Sequence, residues 1–252
     1  MGKLTKINNE IAIITPTHKS NLDSKEVKRL KISLANNPGT IHYFALPESA
    51  NVSQISKIFP NSKLKFFQDS SFASIDEYNV LLLQPNFYQT FSDFKGILIL
   101  QTDAILIRDI SDIRTFGFDY IGASWKPHFA ISNVLGRLYV NRKVFQKFNC
   151  TIIEAGNGGL SYRDISAMIA ITRYLKSSVH YSSLTKIGKR RLNEDLALCY
   201  FGRKLGYKFP NEIEANNFFL EKFYGDVNQI PKIYGFHALE KHNPIVDSFL
   251  IN

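Results

Sequence analysis

Four short groups of residues in this chain have the types and spacing that chemistry requires. Asp103 closes the turn Gln101-Thr102-Asp103, directly after the apolar run Gly96-Ile97-Leu98-Ile99-Leu100. A carboxylate at the end of a strand can hold a hard divalent cation, which in turn can bridge two phosphates of a nucleotide. It can equally close the strand as an Asx-turn. In Ala155-Gly156-Asn157-Gly158-Gly159-Leu160-Ser161, three glycines surround an asparagine. Glycines let a ligand approach the backbone, and a helix starting just beyond them would present free N–H groups. A tight strand-to-helix turn without a ligand has the same composition. No Gly-Lys-Ser/Thr follows, so the segment is neither a P-loop nor a dinucleotide fingerprint. Glu194-Asp195 opens a predicted helix, where the dipole favours acids by about 0.3–1 kcal/mol and would keep them ionised. They are helix caps or, if one faces a hydroxyl, a general base. Finally His237, in Gly235-Phe236-His237, is a packed histidine or a metal ligand; His18, His42, His128, His180 and His242 have no better spacing.

These groups need elements to position them. Ile11 to Thr15, Thr40 to Leu46, Lys63 to Phe67 and Gly96 to Leu100 read as strands, with helices over Asp23 to Ala35 and Val52 to Phe59. Ser74 to Phe91 reads as a helix split by Pro85. This alternation predicts βαβ units and a largely parallel sheet, whose ligands belong at the carboxyl ends of its strands. Further on, Tyr120 to Ala123 predicts a short strand, Trp125 to Arg137 a loop, and Ser161 the start of a helix. Asn193 starts another helix that ends before Gly206, Lys186 to Arg191 is a basic loop, and Pro231 to Tyr234 is strand-like.

Composition narrows the class. With 252 residues, 44% hydrophobic and 21% charged, the chain can bury a substantial core, and no Pro/Gly/Ser-rich linker divides it. No apolar run approaches the roughly 20 residues of a membrane span. Met1 to Lys6 is basic but lacks the apolar run of a signal peptide. Cys150 and Cys199 lack metal-ligand spacing and suit a reducing cytoplasm. The formal charge of +9 calls for an anionic partner or a lysine-rich solvated surface.

The groups occur in a fixed order, with Phe118-Asp119-Tyr120-Ile121-Gly122-Ala123-Ser124-Trp125 between the first two. That series resembles a family of bacterial and viral glycosyltransferases of the GT-A type, which carry a "QTD" turn, a "DYIGAPW"-like segment, a "GNGGLSLR"-like loop, an "ED" pair and a late "GFH". The resemblance covers Gly96 to His242. It implies an α/β, Rossmann-like domain over 1–252, a mixed, mostly parallel sheet flanked by helices, with a nucleotide half (1–110) and an acceptor half (111–252). It also implies a metal-dependent hexosyl- or pentosyltransferase, moving a sugar from a nucleoside diphosphate donor to a glycan or other hydroxyl, with inversion, in surface-glycan synthesis. Thr15, Thr17, His18, Lys19, Gln101, Thr102 and Asp103 would contact the donor, with Mn²⁺ or Mg²⁺ on Asp103 and His237. Asp195 would be the base beside Glu194, and Trp125, Asn157, Gly158, Gly159 and Arg163 would line the sugar and acceptor. Two positions depart from the pattern: Gln101 replaces the first acid of the usual DXD, and Ser124 replaces a proline. A cytoplasmic enzyme is expected, with peripheral contact at the inner membrane face. The rival readings are modified DNA as acceptor and a non-catalytic nucleotide- or glycan-binding module.

Overall fold

The computed structural model describes residues 8–132, 138–139, 149–177, 186–187, 190–191, 193–223, 230, 232–242 and 244–251. In chain order its strands are β1 (Asn8–Pro16), β2 (Thr40–Pro47), β3 (Lys63–Phe67), β4 (Gly96–Leu100), β5 (Ile105–Leu106), β6 (Tyr120–Ser132), β7 (Leu138–Tyr139), β8 (Cys150–Asp164), β9 (Lys186–Ile187), β10 (Arg190–Arg191), β11 (Phe219–Leu220) and β12 (Gly235–Phe236). The helices are α1 (Ser24–Ala35), α2 (Ser53–Ile58), α3 (Ile75–Leu82), α4 (Pro85–Gln89), α5 (Ile165–Ser177), α6 (Glu194–Lys204), α7 (Glu212–Ala215), α8 (Leu239–His242) and α9 (Pro244–Ile251).

The run Ile11-Ala12-Ile13-Ile14 is apolar on both sides of the pleat, which suits a strand covered on both faces. In β1 all four side chains are wholly buried. Ile11 and Ile13 pack with Leu98, Leu100, Leu30 of α1 and Ile55 of α2. Ala12 and Ile14 pack on the other face with Ile97, Ile99 and residues of α3 to α6. Among the described residues the main sheet has seven strands in the order β3-β2-β1-β4-β8-β6-β7. The first four are mutually parallel, and β8 and β7 are the reversed ones. The result is the expected mixed, mostly parallel α/β sheet with helices on both faces. The same sheet runs through both halves of the chain, since β4 pairs with β8.

Four local expectations are corrected. Trp125 to Arg137 was expected to be loop, yet β6 continues through Ser132. Its ladder with β8 jumps from Ser124↔Ala155 to Phe129↔Ile153, so Pro127, which has no N–H to donate, falls in the interruption. Ser161 does not start a helix: it lies inside β8, and the helix begins at Ile165. Asp164 takes the capping role, its Oδ1 accepting from the N–H of Ala167 at 3.0 Å. The basic segment is a short antiparallel ladder of β9 with β10 rather than a loop, and Gly188 and Lys189 lie outside the described residues. The strand-like reading of Pro231 to Tyr234 shifts to Gly235–Phe236.

A smaller sheet, β11-β12-β5, covers a third cluster containing Ile105, Leu220, Ile233, Phe236, Leu239 and Ile251. It is tied to α1 by Arg29, whose side chain is 2% exposed. Arg29 Nε and Nη2 donate to both carboxylate oxygens of buried Asp247 at 3.0 and 2.7 Å, and Nη2 also donates to Glu240 at 2.9 Å.

Candidate active site

From β1 the chain moves outward to β2 and β3, then returns to the other side of β1 as β4. Such a reversal opens a crevice at the carboxyl ends of the two strands. A cavity of about 610 Å³ lies there, and Thr17, His18, Lys19, Gln101, Thr102 and Asp103 are all on its wall, so six of the seven expected donor contacts come together. Thr15 is the exception. It is wholly buried beneath the cavity, with its Oγ1 2.9 Å from His42 Nε2. Burial lowers His42 to about 3, so its ring stays neutral while Nδ1 pairs with Ser62 at 2.7 Å.

Sequence reasoning missed Glu26, which also lines this cavity and is 4% exposed. Its Oε1 accepts from Thr102 Oγ1 at 2.5 Å and from Lys19 Nζ at 2.7 Å, joining the two loops that form the cavity wall. Its Oε2 accepts from the N–H of Asp23 at 3.0 Å and completes a capping box at the start of α1. The Asp23-x-x-Glu26 spacing was the available signal.

His237 reaches Asp103 through the small sheet. Phe236 pairs with Ile105, two residues beyond Asp103, and the His237 N–H donates to the Leu220 carbonyl at 2.9 Å. His237 Nε2 then lies 3.5 Å from Asp103 Oδ1, the imidazole 12% and the carboxylate 51% exposed. The next residue, Ala238, has φ +48°, a left-handed backbone that L-residues other than glycine adopt only at a cost. A Cβ on Gly159 would stand 2.1 Å from His237 Nε2 and 2.7 Å from Gln101 Oε1, so a glycine is what lets the β8 backbone approach this pair. Burial lowers the His237 pKa, against the opposing pull of Asp103, which favours the neutral ring able to ligate a metal. His237 Nδ1 is buried with no hydrogen-bond partner among the described residues. No group of three or more His, Cys, Asp or Glu forms among them. The residues therefore fit a divalent cation sparsely: one carboxylate and one imidazole, with phosphate oxygens and water needed to complete the shell.

Between Gly122 and Ala123 of β6 the partners on β8 jump from Ser161 to Asn157, so 158–160 bulge out of that ladder. On the other side this bulge still pairs with the end of β4, as the Gln101 N–H donates to the Gly159 carbonyl at 2.9 Å. The glycines thus sit in a strand bulge, not at a helix N-terminus, and their N–H groups are used. Gly158 N–H donates to Asp195 Oδ2 at 3.2 Å and Gly159 N–H to Asn157 Oδ1 at 3.0 Å.

Glu194 and Asp195 diverge as the helical 100° step requires. The Glu194 carboxylate turns inward to accept from Arg163 Nη2 at 2.8 Å. Arg163 is wholly buried beneath the bulge and also donates to Ser161 Oγ and Tyr88 Oη, each at 3.0 Å. It holds Glu194 and the underside of the bulge and forms no part of either cavity wall. Asp195 takes the outer position beside Gly158. Burial, followed by the Glu194 charge, pushes its carboxyl up to about 8, outweighing two backbone N–H donors and Arg163. The helix dipole alone predicted an ionised group; desolvation reverses that at neutral pH.

Trp125 lies on the far side of the bulge, where it walls a second cavity of about 540 Å³. Gly156 between them has φ +140°, and a Cβ there would stand 2.1 Å from Cys199 Sγ and 3.3 Å from the Trp125 ring.

No curated protein matches the sequence. Among solved structures, CMP:2-keto-3-deoxy-manno-octonic acid synthetase complexed with CTP aligns over 80% of this chain and 88% of its own, at 12% identity and TM-score 0.43. PaToxG glycosyltransferase aligns over 79% of this chain and 70% of its own, at 14% identity and TM-score 0.41. Likeness at that level carries no argument about activity. A family model matches residues 61–237, which take in β4, the Gly158–Gly159 bulge, Asp195 and His237. On that match the chain belongs to the family described as protein of unknown function, DUF5672.

Proposed function

We propose that this protein is a metal-dependent glycosyltransferase that moves a sugar from a nucleoside diphosphate donor to an acceptor hydroxyl with inversion. The observation that carries the reading is a run of contacts leading from the cavity between β1 and β4: Asp103 on its wall meets His237, Gly159 packs against His237 and Gln101, and the Gly158 N–H reaches Asp195. Thr17, His18 and Lys19, which line that cavity, would contact the nucleoside, and Gln101 to Asp103 the diphosphate. Asp103 and His237 would hold Mn²⁺ or Mg²⁺, which when bound neutralises charge building on the departing diphosphate. The lack of side chains at Gly158 and Gly159 lets the β8 backbone close on Glu194, Asp195 and His237, with Asn157 shaping the bulge beside which the donor sugar would lie. Asp195 takes the proton from the acceptor hydroxyl while that oxygen bonds to the anomeric carbon and the bond from that carbon to the diphosphate breaks. A base lying across the sugar from the leaving group produces inversion. The reading extends to surface-glycan synthesis, with the acceptor approaching from the Trp125 side.

Calorimetry of UDP, GDP and CDP with and without Mn²⁺ tests the proposal. One nucleotide should bind at least tenfold more tightly with Mn²⁺, and Asp103→Asn should abolish that gain. Nucleotide affinity indifferent to both EDTA and Asp103→Asn would refute the metal assignment, and no nucleotide binding at all would refute the donor site.

A further inference from the structure

We propose that the second cavity binds an anionic sugar, one bearing a carboxylate or a phosphate. Its walls bring three lysines, Lys126, Lys222 and Lys241, against one carboxylate, Glu221. Glu221 is itself engaged by His242 at 3.1 Å, and Lys126 pairs with Glu212 outside the lining at 2.8 Å. Lys222 and Lys241 are exposed, so an anion entering the cavity meets mobile ammonium groups, which act as point charges with several donors each. The remaining wall includes the rings of Trp125 and Phe129, packed edge to face at 5.3 Å. An apolar floor beside a few convergent charges is the usual make-up of a small-molecule site, and the C–H face of a pyranose is the apolar surface such rings can cover.

Position gives the cavity a role. Leu220 lines the second cavity and its carbonyl accepts from the His237 N–H at 2.9 Å, while His237 meets Asp103 of the first cavity at 3.5 Å. The Asp103–His237 pair therefore links the walls of the two cavities. A sugar in the second cavity would approach the reacting centre from the side opposite the nucleotide. That acceptor role rests on the transferase reading; binding of the anionic sugar does not.

Trp125 is the only tryptophan in the chain, so intrinsic fluorescence reports on this cavity directly. Tetragalacturonate and glucose 6-phosphate serve as carboxylate and phosphate probes, with maltotetraose and glucose as neutral controls. At least one anion should perturb the emission with an affinity about tenfold above its control. That affinity should fall with added salt and by about tenfold in Lys222→Ser/Lys241→Ser, two exposed sites whose exchange leaves the core intact. No response to either anion, equal response to the neutral sugars, or undiminished affinity in the double variant would overturn the proposal. UDP with Mn²⁺, titrated by calorimetry, separates the two claims. Anion binding without nucleotide binding upholds the cavity's ligand class and removes its acceptor role.

Discussion

Replacing Arg163 with methionine removes the only positive charge that touches Glu194 among the described residues and leaves that carboxylate 5% exposed and unpaired. Methionine keeps much of the volume, so the change isolates the charge and its hydrogen bonds. Removing one member of a buried ion pair costs about 3–5 kcal/mol. Tyr88 Oη, Ser161 Oγ and the Gly158 carbonyl lose a donor in the same step, which places the loss toward the upper end of that range. For a chain of this size each kcal/mol lowers Tm by about 2–4 °C, so Arg163→Met should melt about 6–20 °C below the parent. Urea unfolding followed by circular dichroism should give the same loss with an unchanged slope. In the double variant Arg163→Met/Glu194→Gln no charge is left stranded, and half or more of the loss should return. A single variant within about 1 kcal/mol of the parent would refute the reasoning. So would a double variant as unstable as the sum of both single changes, because the pair would then not be coupled.

Three other outcomes follow from the same geometry. With Asp195 at about 8, transfer rate should climb close to tenfold per pH unit from pH 6, level off above 8, and lose that slope in Asp195→Asn; a flat parent profile over that range would contradict its role as base. The folded state holds that proton more tightly than the unfolded chain, whose carboxyl titrates near 3.8, so Asp195 costs stability increasingly as pH rises from about 4 to 8. Asp195→Asn should therefore melt progressively higher than the parent across that interval, and a constant difference between the two would count against the raised pKa. Gly159→Ala must displace His237 by about 1.3 Å and Gln101 by about 0.7 Å to turn their 2.1 and 2.7 Å approaches into an ordinary 3.4 Å contact, so it should lose Mn²⁺-dependent nucleotide affinity by tenfold or more while its far-ultraviolet spectrum is unchanged; unaltered Mn²⁺ dependence would separate Gly159 from the proposed metal pair.

The first half of the fold was legible because each strand carries its own signal. Gly96 to Leu100 is apolar throughout and runs straight into Asp103, so periodicity and site position came together. The second half hides its strands. In β8 the three glycines read as a turn, because a bulge requires the same residues as a loop and only the partner strands β4 and β6 distinguish them. In β6, the stretch from Trp125 onward read as loop, while its ladder merely skips Pro127. The candidate site was legible in residue identity and not in division of labour. Glu194 and Asp195 are adjacent letters, yet Arg163 draws one inward and leaves the other beside Gly158, a distinction made by contacts across more than 30 residues. Glu26 went unnoticed because a capping box accounts fully for a glutamate at that spacing, and its second oxygen had no visible partner until Thr102 and Lys19 met it.

The tie at Arg29 closes a ring of contacts around the site. From Asp103 the ring passes to His237, through Ala238 into α8, and from Glu240 to Arg29. One turn earlier along α1 stands Glu26, which grips Thr102 and so returns to Asp103. A hoop of this kind shares strain among its members, and its span cannot change at one joint alone. Asp247 clasps it from outside, on the last helix of the chain, far in sequence from any residue that would touch a nucleotide. The segment 244–251 is thus a buttress for the spacing between Asp103 and His237, and an affinity tag or truncation placed there should disturb that pair from a distance.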